Sequence, residues 1–304
     1  MRPARIALVS VAAARDLDDD LAPLAAALRA CGATVAIADW DDPAIDWAFF
    51  DLALLRSPWD YVQRLPQFLD WAARAATLTR LLNPLDVLRW NVDKHYLADL
   101  ARHGVPIVPS RFVEPGEDAA TALAAFLAEH EAASDFVIKP AIGAGSRDAQ
   151  RHPRGARAAA LAHLGRLLDA DRSVLMQPYL DLVDAHGETA LIHFDDVFSH
   201  AIRKGPLLRR GEDSTNDLFA TEQITPRAAD ADERAVAARA LAAIPFDPPL
   251  LYARVDLIRD ANGAPRLLEL ELAEPSLFFA HGEGSAQRFA ERVIARATAA
   301  QPSA

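Results

Sequence analysis

Near the C-terminal end of the chain, two strand-like segments meet at an Asn-Gly turn. The first is Leu251-Tyr252-Ala253-Arg254-Val255-Asp256-Leu257-Ile258, and the second is Arg266-Leu267-Leu268-Glu269-Leu270-Glu271-Leu272. Asp260-Ala261-Asn262-Gly263 lies between them, and Asn-Gly is the strongest short hairpin signal. With Asn262 and Gly263 as the two turn residues, Asp256 faces Glu269 and Arg254 faces Glu271. Facing side chains in a sheet lie about 4.5–5.5 Å apart, and like charges there repel. Val255, Leu257, Leu268, Leu270 and Leu272 alternate onto the other face, which reads as a core face. A chain keeps stacked carboxylates most readily when a cation fills the space between them. Hard oxygens without Cys or His suit Mg²⁺, or Mn²⁺, better than zinc. Charge that protects an exposed edge would look similar. The flanking leucines point instead to a central strand, and Arg254 faces the same pocket.

The 304 residues, 51% hydrophobic and 25% charged, have an ordinary globular composition. That length suits about two domains or one large one. A net charge of −11 and a pI near 5.3 argue against nucleic acid as a partner. A phosphate-bearing ligand would need a local basic patch or a metal. The single cysteine, Cys31, has no internal partner, which fits the reducing cytoplasm. No apolar run reaches the roughly 18 residues of a membrane helix. The apolar start from Ile6 to Ala14 resembles a signal peptide faintly, and a first buried strand from Arg5 to Ser10 explains it more simply. Of 32 basic residues only three are lysine, Lys94, Lys139 and Lys204, leaving 32 − 3 = 29 arginines. In a chain this biased, a surviving lysine marks a position where arginine cannot imitate its compact charge.

Strands and helices alternate from the start, as in a parallel sheet with covering helices. Strands are expected at Ile6–Val11, Thr34–Ala38 and Leu52–Leu55, and helices at Leu21–Ala30 and Leu65–Leu82. No G-x-G-x-x-G follows the first strand. A helix starts after Asn83-Pro84 and runs through Trp90, Lys94 and Leu97 to His103, where Gly104 and Pro106 stop it. Ala-rich helices follow at Ala119–Ala132, Arg157–Asp169, Asp230–Ala243 and Ser285–Ala299. Strands lie between them at Phe136–Lys139, Ser173–Gln177 and Ala190–Phe194. The tail from Gln301 to Ala304 is expected to fray.

Phe136-Val137-Ile138-Lys139-Pro140 feeds a glycine-rich loop, Ala141-Ile142-Gly143-Ala144-Gly145-Ser146. Glycines let backbone N–H groups approach phosphate oxygens. The lysine precedes the glycines, so this is not a Walker loop. Val174-Leu175-Met176-Gln177-Pro178-Tyr179-Leu180 is a strand broken by proline, whose exposed backbone can read an adenine edge. Arg56, Trp59 and Asp60 follow a strand end, where α/β sheets place ligands.

In this order, Lys94, Lys139-Pro-x-x-Gly-x-Gly-Ser, Gln177-Pro178-Tyr179-Leu180, Gly187-Glu188, Arg203-Lys204, Asp256 and Glu269-Leu270-Glu271 resemble the ATP-grasp superfamily, in its glutathione-synthetase-like branch. Arg56-Ser57-Pro58-Trp59-Asp60-Tyr61, His200-Ala201-Ile202-Arg203-Lys204 and Glu269 to Ser276 are most similar to the O-ureido-serine cyclo-ligase group of cycloserine biosynthesis. The resemblance implies an α/β (α+β) ATP-grasp fold in three parts. These are a Rossmann-like parallel-sheet domain over residues 1–92, a lid subdomain over 93–183 and a catalytic subdomain over 184–304. It implies that Lys94 and Lys139 contact ATP phosphates under the loop of Gly143, Gly145 and Ser146. Gln177, Tyr179 and Leu180 would hold adenine, and Glu188 would lie near the ribose. Arg203 would stabilise the transferring phosphoryl group, with Lys204 and Arg254 as the other catalytic basic residues. Asp256, Glu269 and Glu271 would bind Mg²⁺, although many members carry Asn where Glu271 stands. Arg56, Trp59, Asp60, Asn216, Glu274 and Ser276 are the substrate candidates.

The expected activity is an ATP- and Mg²⁺-dependent ligase. It would phosphorylate a small amino-acid-like substrate, form an amide-type C–N bond and release ADP and phosphate. An intermolecular amino-acid, dipeptide or glutathione-type ligase, and a non-catalytic ATP sensor, are the alternatives on the same scaffold. A homodimer is the default assembly.

Overall fold

The computed structural model describes residues 2–208, 210, 223–247 and 250–299, and within them the chain builds three sheets in sequence. The first is parallel. Its strands β1 (Arg5–Ser10), β2 (Thr34–Asp39), β3 (Leu52–Ser57) and β4 (Arg80–Leu82) lie in the order β2-β1-β3-β4. Both faces of β1 are apolar because helices cover both. Ile6 and Leu8 pack with Leu24 and Leu28 of α1 (Leu21–Ala30), while Ala7 and Val9 pack with Phe68 and Trp71 of α2 (Leu65–Leu78).

Two sequence expectations change here. The helix expected over Leu65–Leu82 stops at Leu78. Thr79 turns extended and its hydroxyl donates to the Phe50 carbonyl at 3.0 Å, so Arg80–Leu82 run on as β4 beside Leu52–Leu54. The helix expected through Lys94 to His103 is two helices, α3 (Leu85–Asn91) and α4 (Tyr96–Arg102). Between them Asp93 Oδ1 accepts the His95 N–H at 3.0 Å, and the Lys94 N–H donates to the Ala141 carbonyl at 3.0 Å. An Asp side chain that satisfies a nearby amide competes with helix continuation. The break brings Lys94 off the helix surface and under the glycine-rich loop.

The second sheet holds β5 (Arg111–Val113), β6 (Asp135–Pro140), β7 (Gln150–Pro153) and β8 (Val174–Pro178), antiparallel in the order β5-β8-β6-β7. Helices α5 (Ala119–Glu129) and α6 (Arg157–Asp169) back it through a core of Phe126, Phe136, Leu164 and Met176. After α7 (Val183–His186) come β9 (Glu188–Phe194), β10 (Val197–Lys204), β11 (Ile224–Arg227), α8 (Ala231–Ala242), β12 (Tyr252–Arg259), β13 (Pro265–Glu271) and α9 (Ser285–Thr298). Their antiparallel order is β11-β10-β9-β12-β13. Ala237 and Ala240 of α8 cover Leu257 and Leu267. Phe289 of α9 packs with Ile192, Tyr252 and Leu24, so one core joins the first sheet to the third.

The hairpin of β12 and β13 pairs Asp256 with Glu269 and Arg254 with Glu271, as the two-residue turn implies, but by a different route. The turn has one more residue. The Gly263 N–H donates to the Asp260 carbonyl at 2.8 Å and the Asp260 N–H to the Ala264 carbonyl at 2.9 Å, leaving Ala261, Asn262 and Gly263 as the loop. Gly263, at φ +78°, takes the left-handed position that closes such a three-residue hairpin. Leu257 then pairs with Leu267, and the register shifts between Asp256 and Leu257. Leu268 is the extra, bulged residue. Leu267 is fully buried, while Leu268 turns to the cleft, so Leu267 takes the core place expected of Leu268. β12 is central, between β9 and β13, and the edge strand is β13.

Candidate active site

A cleft of ≈ 230 Å³ is lined by residues from all three regions of the chain. Its floor is the polar face of the third sheet, with Arg254, Glu269, Glu271, Lys204 and Glu188. Lys204 lies on the cleft side of β10, and its Nζ stands 2.7 Å from Asp256 and 2.5 Å from Glu188. Asp256 itself is 1% exposed and sits behind the lining. Burial opposes its ionisation, yet Arg254 and Lys204 hold it well below the usual carboxylate range. Arg254 Nε donates to Asp256 at 3.0 Å, and its Nη2 bonds Glu271. Burial pushes Glu271 upward, with Glu269 and Asp256 adding to it, and the arginine it shares with Asp256 opposes the shift.

Lys94 Nζ bridges floor and lid. It lies 2.9 Å from Glu269 and donates to the Gly143 carbonyl at 2.9 Å. Burial alone would lower Lys94, but Glu269 carries it above the usual lysine value. Glu269 is lowered in turn, Lys94 and Lys139 outweighing burial. Lys139 differs. Its side chain has no hydrogen-bond or ion-pair partner among the described residues, and burial, with Lys94 nearby, lowers its pKa.

The lid wall is backbone-rich. Gly143, Gly145 and Ser146 line the cleft, with Gly145 and Ser146 at φ of +62° and +60°. Consecutive left-handed residues turn successive amides toward one side, as anion-binding backbone does. Gln177, Pro178, Tyr179 and Leu180 line the adjoining end. Gln177 Nε2 donates to Ser110 Oγ at 2.9 Å, and the Tyr179 N–H is already given to the Asp135 carbonyl at 3.0 Å. The Leu180 N–H has no hydrogen bond among the described residues.

The third wall joins Trp59 and Tyr61 of the first domain to Glu274, Ser276 and Phe278. Trp59 Nε1 donates to the Glu274 carbonyl at 3.3 Å. Burial pushes Glu274 up to about 7, against the hydrogen bond from Tyr61.

Four of the sequence candidates stand outside the lining, and one lies beyond the described residues. Asp256 is behind it. Arg203, one residue from Lys204 on β10, points to the opposite face and donates to the carbonyls of His186 at 2.7 Å and Ala185 at 3.2 Å. Strand alternation puts only one of the Arg203-Lys204 pair in the cleft. Asp60 accepts from Trp40 Nε1 at 2.9 Å and bonds Arg64, away from the cleft. Arg56 is 0% exposed and donates to the Pro275 carbonyl at 2.9 Å. Asn216 lies outside the described residues. The sequence reading missed Tyr61, Leu268 and Asn91. Asn91 donates to the Leu270 carbonyl at 2.8 Å and accepts the Leu272 N–H at 2.7 Å, which fixes the end of β13. Its place one helical turn before Lys94 was the available signal.

The donor set suits Mg²⁺ in kind, being three carboxylates without Cys or His. Among the described residues no group of three or more His, Cys, Asp or Glu is disposed to hold a metal ion. Each hairpin carboxylate is instead tied to a basic side chain.

A family model for the N-terminal domain of D-cycloserine synthetase DcsG matches residues 6–83. The cycloserine biosynthesis protein DcsG of Streptomyces lavendulae is 44% identical over 295 residues, covering 96% of this chain and 98% of that protein. The chain belongs to the DcsG cycloserine synthetase family. A crystal structure of D-cycloserine synthetase DcsG matches with a TM-score of 0.91 at 44% identity, over 97% of this chain and 100% of that one. The ATP-grasp ligase PsnB, solved with a precursor variant, Mg and ADP, shares the fold. Its TM-score is 0.64 at 18% identity, over 96% and 98% of the two chains. The chain is an ATP-grasp enzyme, an ATP-dependent carbon–nitrogen ligase.

Proposed function

We propose that this enzyme uses ATP and Mg²⁺ to close the ring of an O-ureido-serine-type amino acid, the last bond of a cycloserine-type product. The observation that carries the reading is 44% identity to the cycloserine biosynthesis protein sustained over 96% of the chain. Residues 1–92, 93–183 and 184–304 would act as the substrate-side, lid and catalytic parts, each with one sheet. Mn²⁺ would substitute for Mg²⁺ at hard oxygens. The cytoplasm, reducing enough to keep Cys31 free, is the proposed site of action.

Phosphoryl transfer needs positioning and positive charge more than covalent help from protein. In this reading Lys139, without a partner among the described residues, and Lys94 bind the phosphates beneath Gly143, Gly145 and Ser146. Leu180 N–H, Gln177 and the Tyr179 backbone take the adenine, and Glu188 the ribose. Glu269, Glu271 and Asp256 would hold Mg²⁺, which would supply positive charge to the phosphoryl transfer. Lys94, Lys204 and Arg254 would loosen their hold on those carboxylates as nucleotide and metal arrive. Arg254 and Lys204 face the reacting oxygens. Trp59, Glu274 and Ser276 face the amino acid, with Tyr61 beside them.

A carboxyl-type oxygen of the substrate attacks the γ-phosphorus, and the bond to the β-phosphate oxygen breaks to release ADP. A substrate nitrogen then attacks the acyl carbon. The C–N bond forms, the C–O bond to phosphate breaks, and nitrogen gives up a proton. Water then cleaves the carbamoyl group from that nitrogen, which regains a proton, and the group leaves as carbon dioxide and ammonia. Substrate labelled with ¹⁸O in the carboxylate should pass one label into released phosphate. Phosphate without label would overturn the scheme. ADP release that requires a second amino acid would point to an intermolecular ligase instead.

A further inference from the structure

The mechanism leaves a buried ion pair unused. Asp20, 4% exposed, lies just before α1, and Arg56, 0% exposed, lies near the end of β3. They stand 3.8 Å apart. Both grip one segment of the catalytic part, residues 275–279. Asp20 Oδ2 accepts the N–H of Leu277 at 2.5 Å and of Phe278 at 3.0 Å, and its Oδ1 accepts that of Phe279 at 2.9 Å. Arg56 Nη2 donates to the Pro275 carbonyl at 2.9 Å.

Three successive amides converging on one carboxylate form a nest, and the nest holds Phe278 at φ 52°, ψ 47°. That is the left-handed region, costly for a residue with a side chain. The same short segment touches Arg254 twice. Arg254 Nη1 donates to the Ser276 carbonyl at 3.1 Å, and its guanidinium lies 5.5 Å from the centre of the Phe278 ring. Nε and Nη2 of Arg254 are engaged on Asp256 and Glu271. The Ser276 carbonyl and the Phe278 ring of the 275–279 segment therefore add to the grip on its fork.

We propose that Asp20 and Arg56 are positioning residues for Arg254, acting across the domain junction through the backbone of residues 275–279. Asp20 fixes the left-handed turn at Phe278, the turn fixes the Ser276 carbonyl and the Phe278 ring, and these aim the guanidinium. The N-terminal domain thus sets the geometry of a basic group it does not contain. The inference rests on the reading of Arg254 as facing the reacting oxygens.

Substrate affinity, read by calorimetry with a non-hydrolysable ATP analogue, and steady-state kcat test it together. Asp20→Asn leaves one accepting oxygen for three amides. It should weaken binding of O-ureido-serine about tenfold and lower kcat, with nucleotide affinity within twofold of the parent. In an Arg254→Lys background the same change should add less than twofold, because residues acting through one group are not additive. A full tenfold added loss there, or no loss in the parent, would overturn the proposal. If Asp20→Asn does not fold, Arg56→Met should give the same non-additive loss and Arg56→Lys should restore most of it. Additive loss, or Arg56→Lys as impaired as Arg56→Met, would equally overturn it. Arg254→Lys alone separates the two ideas. If it binds and turns over like the parent, the reading of Arg254 fails, whatever Asp20 does.

Discussion

On the hairpin side of the cleft, Asp256, Glu269 and Glu271 each meet a basic side chain, and the face is close to self-neutral. On the lid side, Lys139 has no partner among the described residues, and the wall beside it is glycine-rich backbone with a spare amide at Leu180. One wall is already satisfied by the protein, whereas the other is complementary to an anion the protein does not supply. Both stand in a chain of net charge −11. The difference teaches that an anion would find its complement against the lid, and that the floor would have to exchange partners to take part.

Breaking the floor should have the largest effect. Glu269→Gln removes a hard oxygen and the partner of Lys94, and should lower kcat by about 10³-fold. The variant's melting temperature should fall as well, since Lys94 would stand buried beside a neutral amide, but the protein should still fold. An ADP-release rate within tenfold of the parent would remove Glu269 from the reaction. Lys204→Met should be felt in folding as well. It strips a cation from buried Asp256, and breaking a buried pair costs about 3–5 kcal/mol. Urea unfolding would show it, and an unchanged midpoint would mean that Arg254 alone balances Asp256.

Lys139→Met sharpens the contrast from the other wall. It breaks no ion pair, so stability should hold or rise, while kcat/KM for ATP should fall about 100-fold. Lys139→Arg should not restore it, because a guanidinium does not reproduce a compact ammonium. Equal losses toward ATP and amino acid would contradict a nucleotide-side role.

Acid should loosen both walls through two buried histidines. Burial drives His163 of the lid and His193 of β9 down to about 4, from an ordinary 6.5. Their neutral forms are favoured when folded, so their stabilisation is full above about pH 6.5 and is lost as pH falls toward 4. By pH 5 the loss should be about 2 kcal/mol per ring. Denaturant midpoints of His163→Leu and His193→Leu should vary less with pH in this window. Parent-like slopes in both would refute the assignment. Smallest of all, Arg203→Ala should change turnover by less than about threefold, since its guanidinium caps carbonyls outside the cleft. A 100-fold loss would place Arg203 in the chemistry.

Much of the site was legible because period-two alternation and scarce lysines are local signals. The acid-face pairing of β12 and β13 followed from the hairpin pattern, and Lys94, Lys139 and Lys204 all line the cleft. What stayed hidden depends on contacts distant in sequence. Nothing near Thr79 announces that its hydroxyl will bond Phe50 and end α2. Nothing near Arg56 announces that its guanidinium will be buried against Pro275, more than two hundred residues on. The split between α3 and α4 was readable in principle, since Asp93-Lys94-His95 can cap itself, but the helical periodicity around it outweighed that signal. Arg203 and Lys204 show the limit of motif transfer. Adjacent residues on a strand cannot both face the ligand, and sequence order alone does not say which one does.

The bulge at Leu268 and the three-residue turn at Ala261–Gly263 are separate features of the hairpin. The turn closes on Asp260 and Ala264, and every strand pairing lies outside it. Deleting Asn262 would shorten the loop from three residues to two and leave Leu257 opposite Leu267 and Asp256 opposite Glu269. Deleting Leu268 would flatten the ribbon and keep the same partners. Deleting Leu270, by contrast, would swing Glu271 from the cleft face to the core face. The hairpin works like a clutch, which lets the turn change length without moving the carboxylates behind it.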